Sequence, residues 1–284
     1  MPPAESPLVR RFSVKRIAGT ERERIVDTVA AEEPLEIRAS YWFKDVQISD
    51  SLALAMRTPG HDRELAAGFL VSEGVVRQRS DLVDLRLLGA DDRSNEIVAE
   101  LAKGVDLEGW RLARNTFVNS SCGICGKRSR ETIAQQLAAQ TANGDGGAFQ
   151  LNPSFIETLP GLLRGQQQGF SQTGGLHAAA LVNEAGEIEA AFEDIGRHNA
   201  LDKLIGWAFL NGRTPLRNRL LFLSSRSSFE LVQKAVMAGA PVIATVGSPS
   251  SLAIETAREF GLTLIGFVRD RRFNVYSGEW RIKS

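Results

Sequence analysis

The sequence predicts a mixed chain: an α+β part built on an antiparallel sheet, followed by an α/β part on a partly parallel sheet. Three observations carry that reading. Up to about residue 118 the apolar runs are short and broken by turn formers. Beyond about residue 176, strand-like runs alternate with helix-like ones, the rhythm of βαβ units. Between them lie the two cysteines and the glycine cluster Asn143-Gly-Asp-Gly-Gly147, the best linker in the chain. The expected divisions are 1–118, 119–150 and 151–284.

The first part offers strands at Phe12–Ile17, Pro34–Ala39, Leu52–Arg57, Val83–Leu88 and Glu96–Leu101. A helix over His61 to Val71 sits among them, with Leu65, Phe69 and Leu70 on one face. A second helix is expected over Glu131–Gln140. The last part opens with strands Leu176–Val182 and Glu187–Phe192 around the turn Asn183-Glu-Ala-Gly186, then a helix over Arg197–Leu210. Strand Arg219–Leu223, helix Phe229–Ala238, strand Val242–Val246, helix Ser251–Phe260 and strand Thr263–Val268 complete it.

Lysine plus arginine equals aspartate plus glutamate, 34 of each, so no global field draws the chain to nucleic acid or membrane. No apolar run is long enough to span a bilayer, and the N-terminus lacks the pattern of a signal peptide. The cytoplasm is the expected compartment, where thiols stay reduced. Cys122 and Cys125 then read as reactive or metal-binding rather than as a structural staple.

The pair sits in Ser121-Cys-Gly-Ile-Cys-Gly126, followed by Lys127, Arg128 and Arg130. Cations and a following helix start lower a thiol pKa, and the glycines let the backbone turn sharply. Three chemistries fit: a persulfide carrier, a dithiol–disulfide centre, or half of a zinc site. Zinc wants four ligands, and the chain adds only His61, His177 and His198, so that reading needs them or a second subunit.

A second candidate is the edge where the parallel strands end. Loop Ser224–Ser228 carries Arg226 and the capping-box spacing Ser227/Glu230, and loop Gly247–Ser251 carries Ser248. Strand Thr263–Val268 runs into Arg269-Asp-Arg-Arg272. Helix starts with nearby arginines form an anion site, and ligands of open α/β sheets bind at this edge. Plain capping and a solvated basic run explain the same residues. Asp194, Arg197 and His198 lie close enough for acid–base work, or Asp194 caps a helix.

These runs resemble the FdhD/NarQ family of formate dehydrogenase accessory proteins. The matching segments are Met56-Arg-Thr-Pro-Gly-His61, Ser121–Gly126, Thr173-Gly-Gly-Leu-His177, Glu193–Lys203, Ser227–Lys234, Pro249–Ala253 and Gly266–Arg269. The resemblance implies a sulfurtransferase. A cysteine desulfurase would pass sulfur to Cys122 as a persulfide, with Cys125 assisting or resolving. The sulfur would go to the Mo-bis(molybdopterin guanine dinucleotide) cofactor, with molybdenum or tungsten, before its insertion into the formate dehydrogenase catalytic subunit. The family's cofactor-binding stretch maps onto Phe267, Val268, Arg269, Asp270, Arg271 and Arg272. Arg226, Ser227, Ser248 and His177 complete the expected cofactor edge. A homodimer and a cytidine-deaminase-like three-layer core are also implied. Zinc deaminases carry H-x-E and P-C-x-x-C. Here His177-Ala-Ala179 lacks the glutamate and no cysteine follows Cys125, so neither deaminase activity nor a structural metal is expected. Two rival expectations use the same residues: a cofactor chaperone without sulfur transfer, and a zinc or redox regulator.

Overall fold

The computed structural model describes residues 8–89, 95–107, 110 and 149–283. Cys122, Cys125, the expected helix Glu131–Gln140 and the glycine linker lie outside the described residues.

The chain opens with a two-stranded ribbon, β1 (Val9–Ala18) and β2 (Glu21–Ala30). A four-stranded sheet follows from β3 (Glu33–Phe43), β4 (Val46–Arg57), β5 (Leu82–Leu87) and β6 (Glu96–Leu101), in the order β4-β3-β6-β5. Helix α1 (Asp62–Ser72) crosses from β4 to β5. The expectation of an antiparallel sheet is corrected here, because β3 and β6 pair in parallel. The two hairpin-like pairs β3–β4 and β5–β6 are each antiparallel, and the α1 crossover joins them in parallel register.

Three short helices come next: α2 (Pro153–Ile156), α3 (Leu159–Gln166) and α4 (Gln168–Thr173). The six-stranded sheet is then built from β7 (His177–Val182), β8 (Ile188–Asp194), β9 (Leu220–Leu223), β10 (Val242–Thr245), β11 (Thr263–Arg269) and β12 (Arg272–Ser277). Its order is β12-β11-β10-β9-β7-β8, with β9, β10 and β11 parallel. Helices α5 (Arg197–Leu210), α6 (Phe229–Met237) and α7 (Ser251–Glu259) connect its strands.

Both faces of this sheet are covered, so its central strands are apolar throughout rather than alternating. Leu221, Leu223 and Leu181 face the layer containing α5, α6 and α1. Leu220, Phe222 and Val182 face Leu159 and Leu163 of α3. The four-stranded sheet turns Leu35, Ile37, Ile97 and Leu85 into the first of these cores. A single core therefore runs from the first sheet, through α1 and α5, to the second. Among the described residues no helix is long and apolar enough to cross a membrane.

The α1–α5 crossing is the tightest contact in the molecule. A methyl on Gly68 would lie 1.8 Å from the Asp202 carbonyl oxygen, and one on Gly206 would lie 1.8 Å from that of Glu64. Residues four apart share a helix face, so Glu64 and Gly68 meet Asp202 and Gly206 backbone to backbone. Buried polar links flank the crossing. Lys234 Nζ holds both carboxylate oxygens of Asp202 at 2.9 and 2.8 Å, and Ser72 Oγ donates to the first at 2.8 Å.

Gly206→Ala should cost roughly 3 kcal/mol or more, because backbone cannot yield to the added methyl as a side chain can. Gly165→Ala in α3, where nothing lies within 4 Å, should instead gain about 0.5–1 kcal/mol. Urea denaturation of both variants measures the contrast.

Candidate functional site

The C-terminal ends of β9, β10 and β11 form one edge of the six-stranded sheet. Because β7 runs antiparallel to β9, its first residue, His177, reaches the same edge. There β8 ends at Asp194 and α5 begins. The edge therefore gathers His177, Arg197, His198, loops 224–228 and 246–250, and Phe267–Arg269.

The loops are stapled to one another by backbone hydrogen bonds. Ser227 N donates to Ser248 O at 3.2 Å, Ser250 N to Ser227 O at 2.9 Å, and Phe267 N to Gly247 O at 3.0 Å. Gly247 is required by this stacking, since a methyl there would sit 2.7 Å from Arg226 Cγ and 3.0 Å from its Cα. Ser227 is buried, and its hydroxyl lies 2.9 Å from Thr245 Oγ1. The capping box expected of Ser227 and Glu230 does not form: Ser228 is the N-cap of α6, and Ser227 belongs to the loop staple. At α7, Ser250 caps normally, accepting from Ala253 N at 3.2 Å.

Neither α5 nor α6 is capped by the side chain of its N-cap residue. Ser228 Oγ lies 3.4 Å from His198 Nε2 and also bonds the Glu230 carboxylate. Burial pushes Glu230 up, but that bond, its own backbone N–H and nearby His198 and Arg197 hold it below the usual range. Burial lowers His177, helped by the Arg197 charge and opposed by Asp194. Burial, with Arg197 and Lys234 beside it, brings His198 down to about 4, against the pull of Glu230. His198 is thus a neutral imidazole at physiological pH, able to accept or donate one hydrogen bond.

Phe267 has φ +56°, a left-handed conformation that an aromatic residue rarely adopts. It falls where the β11–β12 register shifts between Gly266 and Arg269, a bulge that re-aims side chains at a rim. Val268 points into the core and is wholly buried. Arg269 is exposed, with its guanidinium 5.4 Å from the Phe267 ring centroid. Asp270 and Arg271, at φ +52° and +56°, are the central residues of a two-residue hairpin turn. Arg269–Arg272 is therefore a turn between paired strands rather than a loose basic tail. Arg271 lies 4.0 Å from Glu157. Among the expected cofactor-edge residues, Arg226 and Arg269 are exposed, His177, Ser248 and Phe267 half-buried, and Ser227 and Val268 buried.

Asp194 shapes this edge and is not free for proton transfer. It is fully buried and accepts from Thr58 N (3.1 Å), Gly196 N (2.8 Å), Asn199 Nδ2 (3.0 Å) and Lys203 Nζ (2.8 Å). Lys203 also donates to Thr58 O at 2.8 Å. The Met56–His61 turn is thereby fixed to the start of α5. Lys203 and Thr58 lie in the segments that carry the family resemblance, but no local pattern gives their role, because a lysine nearly two helical turns into an apolar helix reads as surface.

The His198 shift has a sign that stability can report. Its ordinary value is 6.5, so between about 6.5 and about 4 the unfolded chain binds a proton that the folded chain refuses. Stability is full above that window and falls as pH drops through it. The urea midpoint of the native protein should fall from about pH 7 to about pH 5, and that of His198→Gln should fall less.

A family model described as the FdhD/NarQ family matches residues 30–283. A sulfur carrier protein FdhD of Streptomyces avermitilis is 45% identical over 279 residues, covering 93% of this chain and 95% of that protein. One of Mycobacterium tuberculosis is 43% identical over 264 residues, covering 90% and 92%. One of Saccharolobus solfataricus is 39% identical over 274 residues, covering 96% and 98%. A Desulfotalea psychrophila crystal structure, described as a formate dehydrogenase accessory protein, shares the fold with a TM-score of 0.74 at 22% identity, covering 98% of this chain and all of that one. With the family model spanning most of its length and curated sulfur carrier proteins at this level of identity, the chain belongs to the FdhD/NarQ family.

Proposed function

We propose that the chain takes sulfur from a cysteine desulfurase onto Cys122 and delivers it to the Mo-bis(molybdopterin guanine dinucleotide) cofactor of formate dehydrogenase. The observation that carries this is the run Ser121-Cys-Gly-Ile-Cys-Gly126 in a chain so similar to curated sulfur carriers. In the first step the Cys122 thiolate attacks the outer sulfur of the donor persulfide, and the donor thiolate leaves. In the second, Cys125 attacks Cys122 Sγ. The terminal sulfur departs as sulfide to the cofactor, and a Cys122–Cys125 disulfide remains for a cellular thiol to reduce. The segment 119–150 is the sulfur-bearing connection between the two parts of the chain, and the reaction belongs to the cytoplasm.

The cofactor is cargo, and the sheet edge is chemically suited to its guanine nucleotide arms. Exposed Arg226 and Arg269 supply cations, and the starts of α5 and α6 supply positive dipole ends. Neutral His198 and half-buried Ser248 supply polar contacts, and the Phe267 ring supplies a flat apolar surface. Each subunit of a two-fold dimer would take one arm. The cytidine-deaminase-like scaffold belongs to the same reading as a matter of descent, without its zinc chemistry.

Intact mass measurement after incubation with a desulfurase and cysteine should show one added sulfur, lost on reduction and absent from Cys122→Ala. No gain beside an active donor would turn the reading to a cofactor chaperone. Titration with guanosine diphosphate should give one site per subunit, weakened about tenfold by Arg269→Ala, a charge-assisted contact of about 1.4 kcal/mol. Absence of binding would remove the assigned edge.

A further inference from the structure

The ribbon β1–β2 is long and largely exposed, and among the described residues it meets the body at its root and where α4 packs on β2. Isolated two-stranded ribbons are marginal in water, so one of ten residues a side calls for a reason. Its root is tied directly to the candidate site. Ala31 N donates to Leu8 O at 2.9 Å, and Thr58 Oγ1 donates to Ala31 O at 2.9 Å while accepting from Ile195 N at 3.1 Å. Thr58 N in turn bonds Asp194, at the start of α5.

The two faces of the ribbon differ in charge. Paired residues of an antiparallel ribbon share a face, and faces alternate along each strand. One face holds the pair Val9/Ala30, which packs on the body at the root, and then the pairs Arg11/Thr28, Ser13/Val26, Lys15/Arg24 and Ile17/Arg22. It carries four exposed cations and no acidic residue. Among the described residues none of these four is ion-paired. The other face is net acidic, with Arg10 and Arg16 against Glu21, Glu23 and Asp27. There Arg16 lies 3.5 Å from Glu23 and Arg10 pairs with Glu33, and Asp27 and Glu21 also lie on that side.

We propose that the cationic face of this ribbon docks an acidic surface of the protein that receives the sulfurated cofactor. The inference rests on the function proposed above, which makes the apo formate dehydrogenase catalytic subunit that protein. Three features favour a protein over a nucleic acid. Val26 and Ile17, 69% and 58% exposed, lie among the cations and offer apolar contact that phosphates do not use. The acidic residues of the opposite face would repel a polyanion wrapping the ribbon, and a net charge of zero provides no field to attract one. A docked client would stand against the rim where the cofactor edge opens, since ribbon and edge share Thr58.

The test uses the full chain and immobilised apo formate dehydrogenase catalytic subunit. Arg11→Glu, Lys15→Glu, Arg22→Glu and Arg24→Glu combined should weaken binding about tenfold or more near 0.05 M salt. Native binding should weaken as salt rises toward about 0.3 M, and the variant's dependence should flatten or reverse. The four glutamine replacements should give an intermediate loss. Glu21→Lys with Asp27→Lys, on the opposite face, should leave affinity unchanged. Sulfur uptake at Cys122, read by mass, should be native in every variant. That readout tests the functional reading separately from the docking. Unchanged client affinity in the charge-reversed chain would overturn the proposal. So would a loss traced to dissociation of a dimer, or binding of DNA rather than the client by the native ribbon.

Discussion

The backbone contact between α1 and α5 is the constraint on which the rest depends. Two glycines, one on each helix, let the peptide groups of Glu64 and Asp202 approach where any methyl would collide. Helix axes this close leave no room for a side-chain layer between them. The first sheet is consequently held against the helical layer of the second, and one core replaces two. The buried Asp202–Lys234 pair, with Ser72 reaching across, fixes the direction of approach. Such a pair is a weak source of net stability, but losing one partner strands a buried charge at a cost of about 3–5 kcal/mol.

That docking is what makes the sheet edge a site. With α1 in place, the turn before it delivers Thr58 to Asp194, and Asp194 with Lys203 sets the start of α5. His198 and Arg197 then stand over the loop of Ser228, while Gly247 and Gly266 allow three loops to pack edge to edge. The strained Phe267 and the bulge around it aim one aromatic ring and one arginine at the rim. Buried Asp194 and Lys203 fix the start of α5, from which Arg197 and His198 project, and buried Ser227 staples the loop of Arg226 to that of Ser248. The proposed function asks this edge to hold a large charged cargo still while sulfur arrives on a different segment.

Much of this was legible in the residues. The range of α5, Arg197–Leu210, and the alternation from β9 to β11 follow from apolar runs bounded by clear turns. The strand β2 was not legible, because Glu21-Arg-Glu-Arg24 reads as a solvated charge run and is a strand only by pairing with β1. The helices α2–α4 carry Pro153, Pro160, Gly161 and Gly165, which break helical periodicity; Asn152 before Pro153 and Thr158 before Pro160 are the start signals they offer. The parallel register of β3 and β6 is a tertiary choice that no local pattern encodes. At the site, Ser227 looked like a cap and is a buried staple, and the Arg269–Arg272 run hid a hairpin turn whose central residues are not the usual glycine and asparagine. The two cysteines stand out by spacing, which leaves persulfide carriage, dithiol exchange and zinc binding open, and they lie outside the described residues.

Under the proposed function, sulfur carried by this chain ends on the cofactor of formate dehydrogenase. The most direct measurement loads the chain with isotopically heavy sulfur, removes the donor, adds cofactor and apo formate dehydrogenase, and follows the heavy atom. Heavy sulfur is expected in the cofactor released from the activated enzyme, in proportion to the activity gained. Full activation with the heavy sulfur still on the chain, or with none on the cofactor, would contradict it.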